Sequence, residues 1–198
     1  MVSKRTLLII VCLLFVSSGA QAAKNVILLI GDGMGLGQIS CLMTHHKGLG
    51  KKPGAIETLL ATAPSGLVKT GSLGFAVTDS AAAATAIACG KKTLSDVLGM
   101  DGRGRELDST LDKAEKMGKW TGLISTHKLT DATPGAFYAS VPTRDWHSQI
   151  ASQLLESGVE VALGGGLRYF IPAEETISSR FPFVKAWQPW NDKSGRRD

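Results

Sequence analysis

"WTGLISTHKLTDATPGAFYASVPTRDWHSQIASQLLESGVEVALGGG", residues 120 to 166, decides the fold class. WTGLIST is a short apolar run of strand type. RDWHSQIASQLLESG, residues 144 to 158, sets Trp146, Ile150 and Leu154 on one face at helical spacing. VEVALGGG then returns to strand character. Strand, helix and strand in succession build a largely parallel sheet covered on both faces. Ligands of such sheets bind beyond the carboxyl ends of the strands.

The alternation continues outward. NVILLIG, residues 25 to 31, reads as a fully buried strand, followed by a helical stretch around Gln38 to His46. GLVKTG, residues 66 to 71, is a second, weaker strand candidate. DSAAAATAIACG, residues 79 to 90, is a helix stopped by Gly90, and DSTLDKAEKMG is another, capped at Asp108 or Ser109 and ended by Gly118. Residues 181 to 198 carry no period, and the last unit looks incomplete at the C-terminus.

A chain of 198 residues suits one domain or part of a larger one, and 43% hydrophobic residues argue against wholesale disorder. Residues 1 to 22 read as a signal peptide. Lys4 and Arg5 form the basic start, Thr6 to Val16 the apolar stretch, and Ala20-Gln21-Ala22 the cleavage signal. The apolar stretch is shorter than the roughly 20 residues a membrane span needs. A lipidated Cys12 would want a small residue before it, and Val11 stands there. Cleavage lowers the formal charge of +5 by two, and no basic cluster is dense enough for nucleic-acid binding. Of the remaining cysteines, Cys41 and Cys89, the second falls near the end of an alanine-rich helix, where a buried free thiol is expected.

Three segments carry chemistry-bearing residues. In GDGMGLGQ a dinucleotide fingerprint fails, because its third glycine would fall at Leu36 or Gln38. Asp32 in that glycine turn reads equally as a metal ligand or as the cap of the next helix. In VTDSAAAATA, Ser80 stands at a helix start, where free N–H groups and the helix dipole favour an anion. An ordinary N-cap at Asp79 or Ser80 would look the same, and taken alone that is the commoner reading. No Gly-x-Ser-x-Gly elbow or histidine base accompanies the serine, so its activation falls to something else, such as a metal. In TDATPGAFYASVPTR, Asp131 and Thr133 offer hard oxygen ligands suited to Mg²⁺, and Arg144 could clamp two phosphate oxygens. The four histidines lack metal-ligand spacing and read as structural or solvated.

GDGMG, VTDSAAAATA and TDATPGAF…VPTR, in that order, resemble the amino-terminal half of a bacterial alkaline phosphatase over about residues 24 to 172. The resemblance implies a three-layer α/β/α fold with a mainly parallel sheet, residues 23 to 198 forming the amino-terminal part of the domain. It implies a periplasmic or secreted phosphomonoester hydrolase with two Zn²⁺ and one Mg²⁺ per complete site. Ser80 would become phosphorylated, Arg144 would grip phosphate with Asp79 steadying it by a hydrogen bond, and Asp32, Ser80, Asp131 and Thr133 would hold metal. Phosphate monoesters of broad type would be substrates, and the full-length family would form homodimers. The alternative is a catalytically inactive fragment or pseudoenzyme without the C-terminal metal ligands. The sulfatases of the same superfamily want Cys-x-Pro-x-Arg, which does not occur here.

Overall fold

The computed structural model describes residues 23–171, so the signal-peptide reading of residues 1–22 and the reading of residues 181–198 lie outside the described residues. The chain divides into two units at Gly31–Asp32. In the first, the expected strand at residues 25–31 is absent: the segment has no regular structure, and Val26, Ile27 and Leu29 are more than 80% exposed. A strand is defined by its ladder partner rather than by its own apolar run, and an apolar stretch without one stays irregular.

The second unit holds the regular elements. Helix α1 spans Leu36–Gly48 and α2 spans Ala55–Thr62, and neither buries a residue fully. Residues 66–71 form no strand, which corrects the second strand expectation. Helix α3, Ser80–Cys89, starts where the Asp79 side chain accepts from Ala82 N–H and stops at Gly90, whose φ of 71° is a left-handed C-cap. Helix α4, Thr110–Lys116, is capped by Ser109, which accepts from the N–H groups of Leu111 and Asp112. Strand β1 (Gly122–Lys128) leads into the single turn α5 (Ala132–Gly135), then α6 (His147–Glu156), β2 (Val161–Gly165) and a 3₁₀ turn at Leu167–Tyr169.

β1 and β2 pair in parallel, with Gly122 opposite Val161 and Ile124 opposite Leu163. Helices alternating with a parallel pair are the expected α/β class, and the sheet among the described residues has two strands. The register breaks between Ile124 and Lys128, so β1 bulges at its carboxyl end. Such bulges bend a strand and re-aim its side chains, here just before Asp131.

The core sits between α3, α5 and α6 rather than on the sheet. Ala81, Ala84 and Ala88 of α3 are 2% exposed or less, as are Ala132 of α5 and Ile150 and Ala151 of α6. Small residues on α3 and α5 let the two backbones approach closely. That approach brings the starts of both helices, and so Ser80 and Thr133, toward one surface. Trp146 departs from its expected place on the buried face of α6: it precedes the helix as N-cap and is 42% exposed. Cys41 and Cys89 are both free, with Cys89 half-buried and its thiol pushed up to about 11 by burial.

Candidate active site

The turn at Asp32-Gly33 needs Gly33, whose φ of 63° lies in the left-handed region. It presents the Asp32 carboxylate to two hydroxyls. Ser80 Oγ stands 2.8 Å from Asp32 Oδ1 and 3.0 Å from Oδ2, so its hydroxyl donates into the carboxylate. Thr133 Oγ1 donates to Asp32 Oδ2 at 3.2 Å. Three segments far apart in the chain thus bring one carboxylate and two hydroxyls together.

Ser80 is the first residue of α3. Asp79 Oδ1 takes the Ala82 N–H and the Asp79 carbonyl takes the Ala83 N–H. That leaves the N–H groups of Ser80 and Ala81 without an intrahelical acceptor, as expected of a helix start. An anion bound there meets both donors and the positive end of the helix dipole.

Arg144 is held from two sides. Its Nη2 donates to Asp131 Oδ1 at 2.9 Å, and its backbone N–H donates to the Asp96 carbonyl at 2.8 Å. Asp79 Oδ2 lies 3.9 Å from Arg144 Nη1, an ion pair beyond hydrogen-bond reach. The hydrogen bond expected from Asp79 therefore comes from Asp131 instead, and the second Asp79 oxygen accepts the Asp96 N–H at 3.0 Å.

Of the site's carboxylates, Asp131 is the most heavily engaged. Its Oδ1 also accepts the Ala132 N–H at 2.9 Å, and its Oδ2 meets His127 Nδ1 at 2.8 Å. Partial burial pushes its pKa up, but the Ala132 N–H, the Arg144 guanidinium and the charge of Lys128 outweigh that and leave it below the ordinary carboxylate value. Behind it, His147 Nδ1 lies 3.1 Å from the Thr130 carbonyl and Nε2 lies 2.9 Å from Lys128 Nζ. With Lys128 donating to Nε2, the proton on Nδ1 bonds Thr130. The imidazole then ties the start of α6 to the loop that carries Asp131.

All six expected site residues fall on these few linked segments: Asp32, Asp79, Ser80, Asp131, Thr133 and Arg144. Sequence reasoning missed three others. His127 is four residues before Asp131, a spacing unremarkable on a strand until the bulge turns it. His147 seemed merely structural or solvated. Asp96 touches the site only through its backbone, which side-chain motifs do not reveal. A cavity of about 460 Å³, lined by Glu106, Asp108, Tyr138 and Gln153 among others, includes none of the six; the constellation lies at an open surface instead.

For a cation, the set Asp32, Ser80 and Thr133 supplies only hard oxygen atoms, which fits a metal of the Mg²⁺ type. Zinc sites take three or four nitrogen, sulfur or carboxylate ligands. Among the described residues no three of His, Cys, Asp or Glu converge on one point.

Comparison with known proteins gives a consistent result. A family profile described as alkaline phosphatase matches residues 23–183. Alkaline phosphatase 4 of Bacillus subtilis is 34% identical over 166 residues, covering 80% of this chain and 36% of the relative. The solved alkaline phosphatase of Thermus thermophilus superposes with a TM-score of 0.70 at 38% identity, over 74% of this chain and 31% of that one. A variant of the alkaline phosphatase from the Antarctic bacterium TAB5, solved with Mg bound in its M3 site, gives 0.67 at 39% identity, over 74% and 40% of the two chains. The chain spans about a third of the length of the curated relatives it matches.

Proposed function

Because the chain belongs to the alkaline phosphatase family, we propose that its constellation is the reactive centre of a metal-dependent phosphomonoester hydrolase working through a phosphoserine at Ser80. The observation that carries this reading is the Ser80 hydroxyl at 2.8 Å from Asp32, at the open start of α3.

In this reading Ser80 Oγ attacks phosphorus as the P–O bond to the departing alcohol breaks; the serine proton passes to solvent, and the departing alkoxide takes up a proton from solvent. Asp32 accepts the hydrogen bond of the hydroxyl and so aims the free lone pairs of Oγ away from itself. Arg144, fixed by Asp131, and the N–H groups at the start of α3 offset charge on the non-bridging oxygens. Water then hydrolyses the phosphoserine, releasing inorganic phosphate and restoring the hydroxyl. A carboxylate alone is too weak a base for a serine. A divalent cation held by Asp32, Ser80 and Thr133 would lower the cost of ionising the hydroxyl and neutralise phosphate charge.

Two Zn²⁺ and one Mg²⁺ are proposed for a complete centre, to which the described residues bring Asp32, Ser80, Asp131 and Thr133 as proposed ligands. Phosphate monoesters of broad type are the proposed substrates, with export to the periplasm or medium; homodimerisation belongs to the full-length family. A second reading, phosphate binding without turnover, has one observation in its favour: the Asp32 set contains a single carboxylate.

The test is hydrolysis of p-nitrophenyl phosphate at alkaline pH by the full chain with zinc and magnesium, beside Ser80→Ala. Turnover lost in the variant supports the hydrolase. Phosphate binding without turnover in either protein supports the second reading.

A further inference from the structure

We propose that Asp96 is a positioning residue, whose backbone fixes the phosphate-gripping arginine relative to the nucleophile's helix. Its functional value rests on the reading above, but its geometry does not.

Among the described residues, Asp96 is the one non-glycine residue at positive φ, 66°. Side chains resist that conformation, and it persists only where surrounding contacts over-determine it. Those contacts surround Asp96. Its N–H donates to Asp79 Oδ2 at 3.0 Å, and its carbonyl accepts the Arg144 N–H at 2.8 Å. Asp79 spends its other oxygen on the Ala82 N–H, so a continuous path of hydrogen bonds runs from the first turn of α3 through Asp96 to Arg144.

The following residues are anchored separately. Val97 O accepts from Thr85 Oγ1, the fully buried Leu98 exchanges two backbone bonds with Val141, and Gly99 N–H donates to Thr85 Oγ1. Because that anchorage fixes one side of Asp96 and the Val97 N–H closes the turn onto the Leu94 carbonyl at 3.4 Å, the positive φ is part of what aims its N–H at Asp79. Returning φ to negative values swings either the N–H or the carbonyl off its partner. The Asp96 side chain itself is exposed, so its contribution is conformational: aspartate and asparagine tolerate the left-handed region better than other side chains.

The experiment compares Asp96→Gly, Asp96→Asn, Asp96→Ala and Asp96→Val in the full chain with zinc and magnesium. The first readout is hydrogen exchange of the Arg144 amide, and the second is affinity for inorganic phosphate by titration calorimetry. Gly and Asn, which accept positive φ, should match wild type in both. Val should speed Arg144 exchange and weaken phosphate binding, each by about tenfold, the ratio expected for loss of one hydrogen bond of ordinary net strength. Ala should fall between, and it keeps the comparison decisive if Val does not fold.

Unchanged Arg144 exchange in Ala and Val would overturn the proposal. So would an equal loss in Asn and Gly, because the effect would then lie in the carboxylate. If wild type binds no phosphate the functional reading fails, while the exchange order Gly, Asn, Ala, Val still decides the tether.

Discussion

Replacing Thr85 by valine tests the anchorage of the whole site with almost no change of shape. Thr85 lies in α3 one turn and a residue beyond Ser80, and it is 0% exposed. Its Oγ1 accepts the buried Gly99 N–H at 3.1 Å and donates to Val97 O at 3.3 Å. Valine fills the same volume but offers neither function. The Gly99 N–H is then buried without an acceptor, at a cost of about 1–3 kcal/mol. Losing the longer bond to Val97 adds about 0.5–1 kcal/mol. Since no cavity opens, the expected loss is about 1.5–4 kcal/mol, read as a lower urea midpoint at unchanged slope. Thr85→Ser is the control, because it keeps the hydroxyl and gives up one methyl, worth about 1 kcal/mol. A valine variant within about 0.5 kcal/mol of wild type would refute the reasoning, as would a serine variant less stable than the valine one.

Ser109→Ala removes a cap and also the donor to the Phe137 carbonyl at 2.6 Å, both buried. It should cost about 2–4 kcal/mol by urea denaturation, where a surface cap alone would cost about 1. Asp32→Asn should abolish the heat of Mg²⁺ titration that Asp112→Asn, on α4, leaves intact; equal heats in both would remove Asp32 from the cation set. Asp101 holds the turn to Arg105 through two backbone N–H groups and the Arg105 guanidinium, which bring its carboxyl down to about 2. A carboxyl depressed in the folded state stabilises above its unfolded value and loses that contribution as pH falls through the folded one. Asp101→Asn should therefore lower the melting temperature at pH 6, with the difference from wild type shrinking steadily below pH 3.8 toward about 2. A difference independent of pH would contradict the assignment.

What was legible in the sequence was what local chemistry decides. α3 begins at the Asp79 cap and ends at Gly90, and α4 begins at Ser109, where capping residue types stand in the sequence. β1 and β2 fell where apolar runs and turns bracket them. Residues 25–31 and 66–71 misled because a strand requires a partner that its own residues cannot specify. The β1 bulge has the same origin, and with it the pairing of His127 with Asp131. Asp96 lay hidden for another reason: its positive φ sits in the Leu94–Val97 turn. What gives that turn its place is the bond to Asp79 and the anchorage of the next residues by Thr85 and Val141, up to 45 positions away, while a lone Asp in Ser-Asp-Val announces only tolerance of it.

The charges of the site determine the order in which it can be filled. Each of its carboxylates is engaged: Asp32 by Ser80 and Thr133, Asp79 by Ala82 and Asp96, Asp131 by His127, Ala132 and Arg144. Against these three stand the Arg144 guanidinium and Lys128, whose charge acts on Asp131. Three carboxylates thus face two permanent cations. Two unit charges 4 Å apart near a protein surface interact by about 4 kcal/mol. A phosphate dianion at Ser80 would lie against the Asp32 carboxylate, whose Oδ1 is 2.8 Å from Ser80 Oγ, and one arginine does not offset that repulsion. A divalent cation on Asp32 reverses the sign of the charge beside Ser80, while Asp79 and Asp131 stay engaged with the helix start and Arg144. On the proposed function, the site takes a cation first and an anion second. Phosphate affinity should accordingly rise with Mg²⁺ in wild type, and the dependence should disappear with Asp32→Asn.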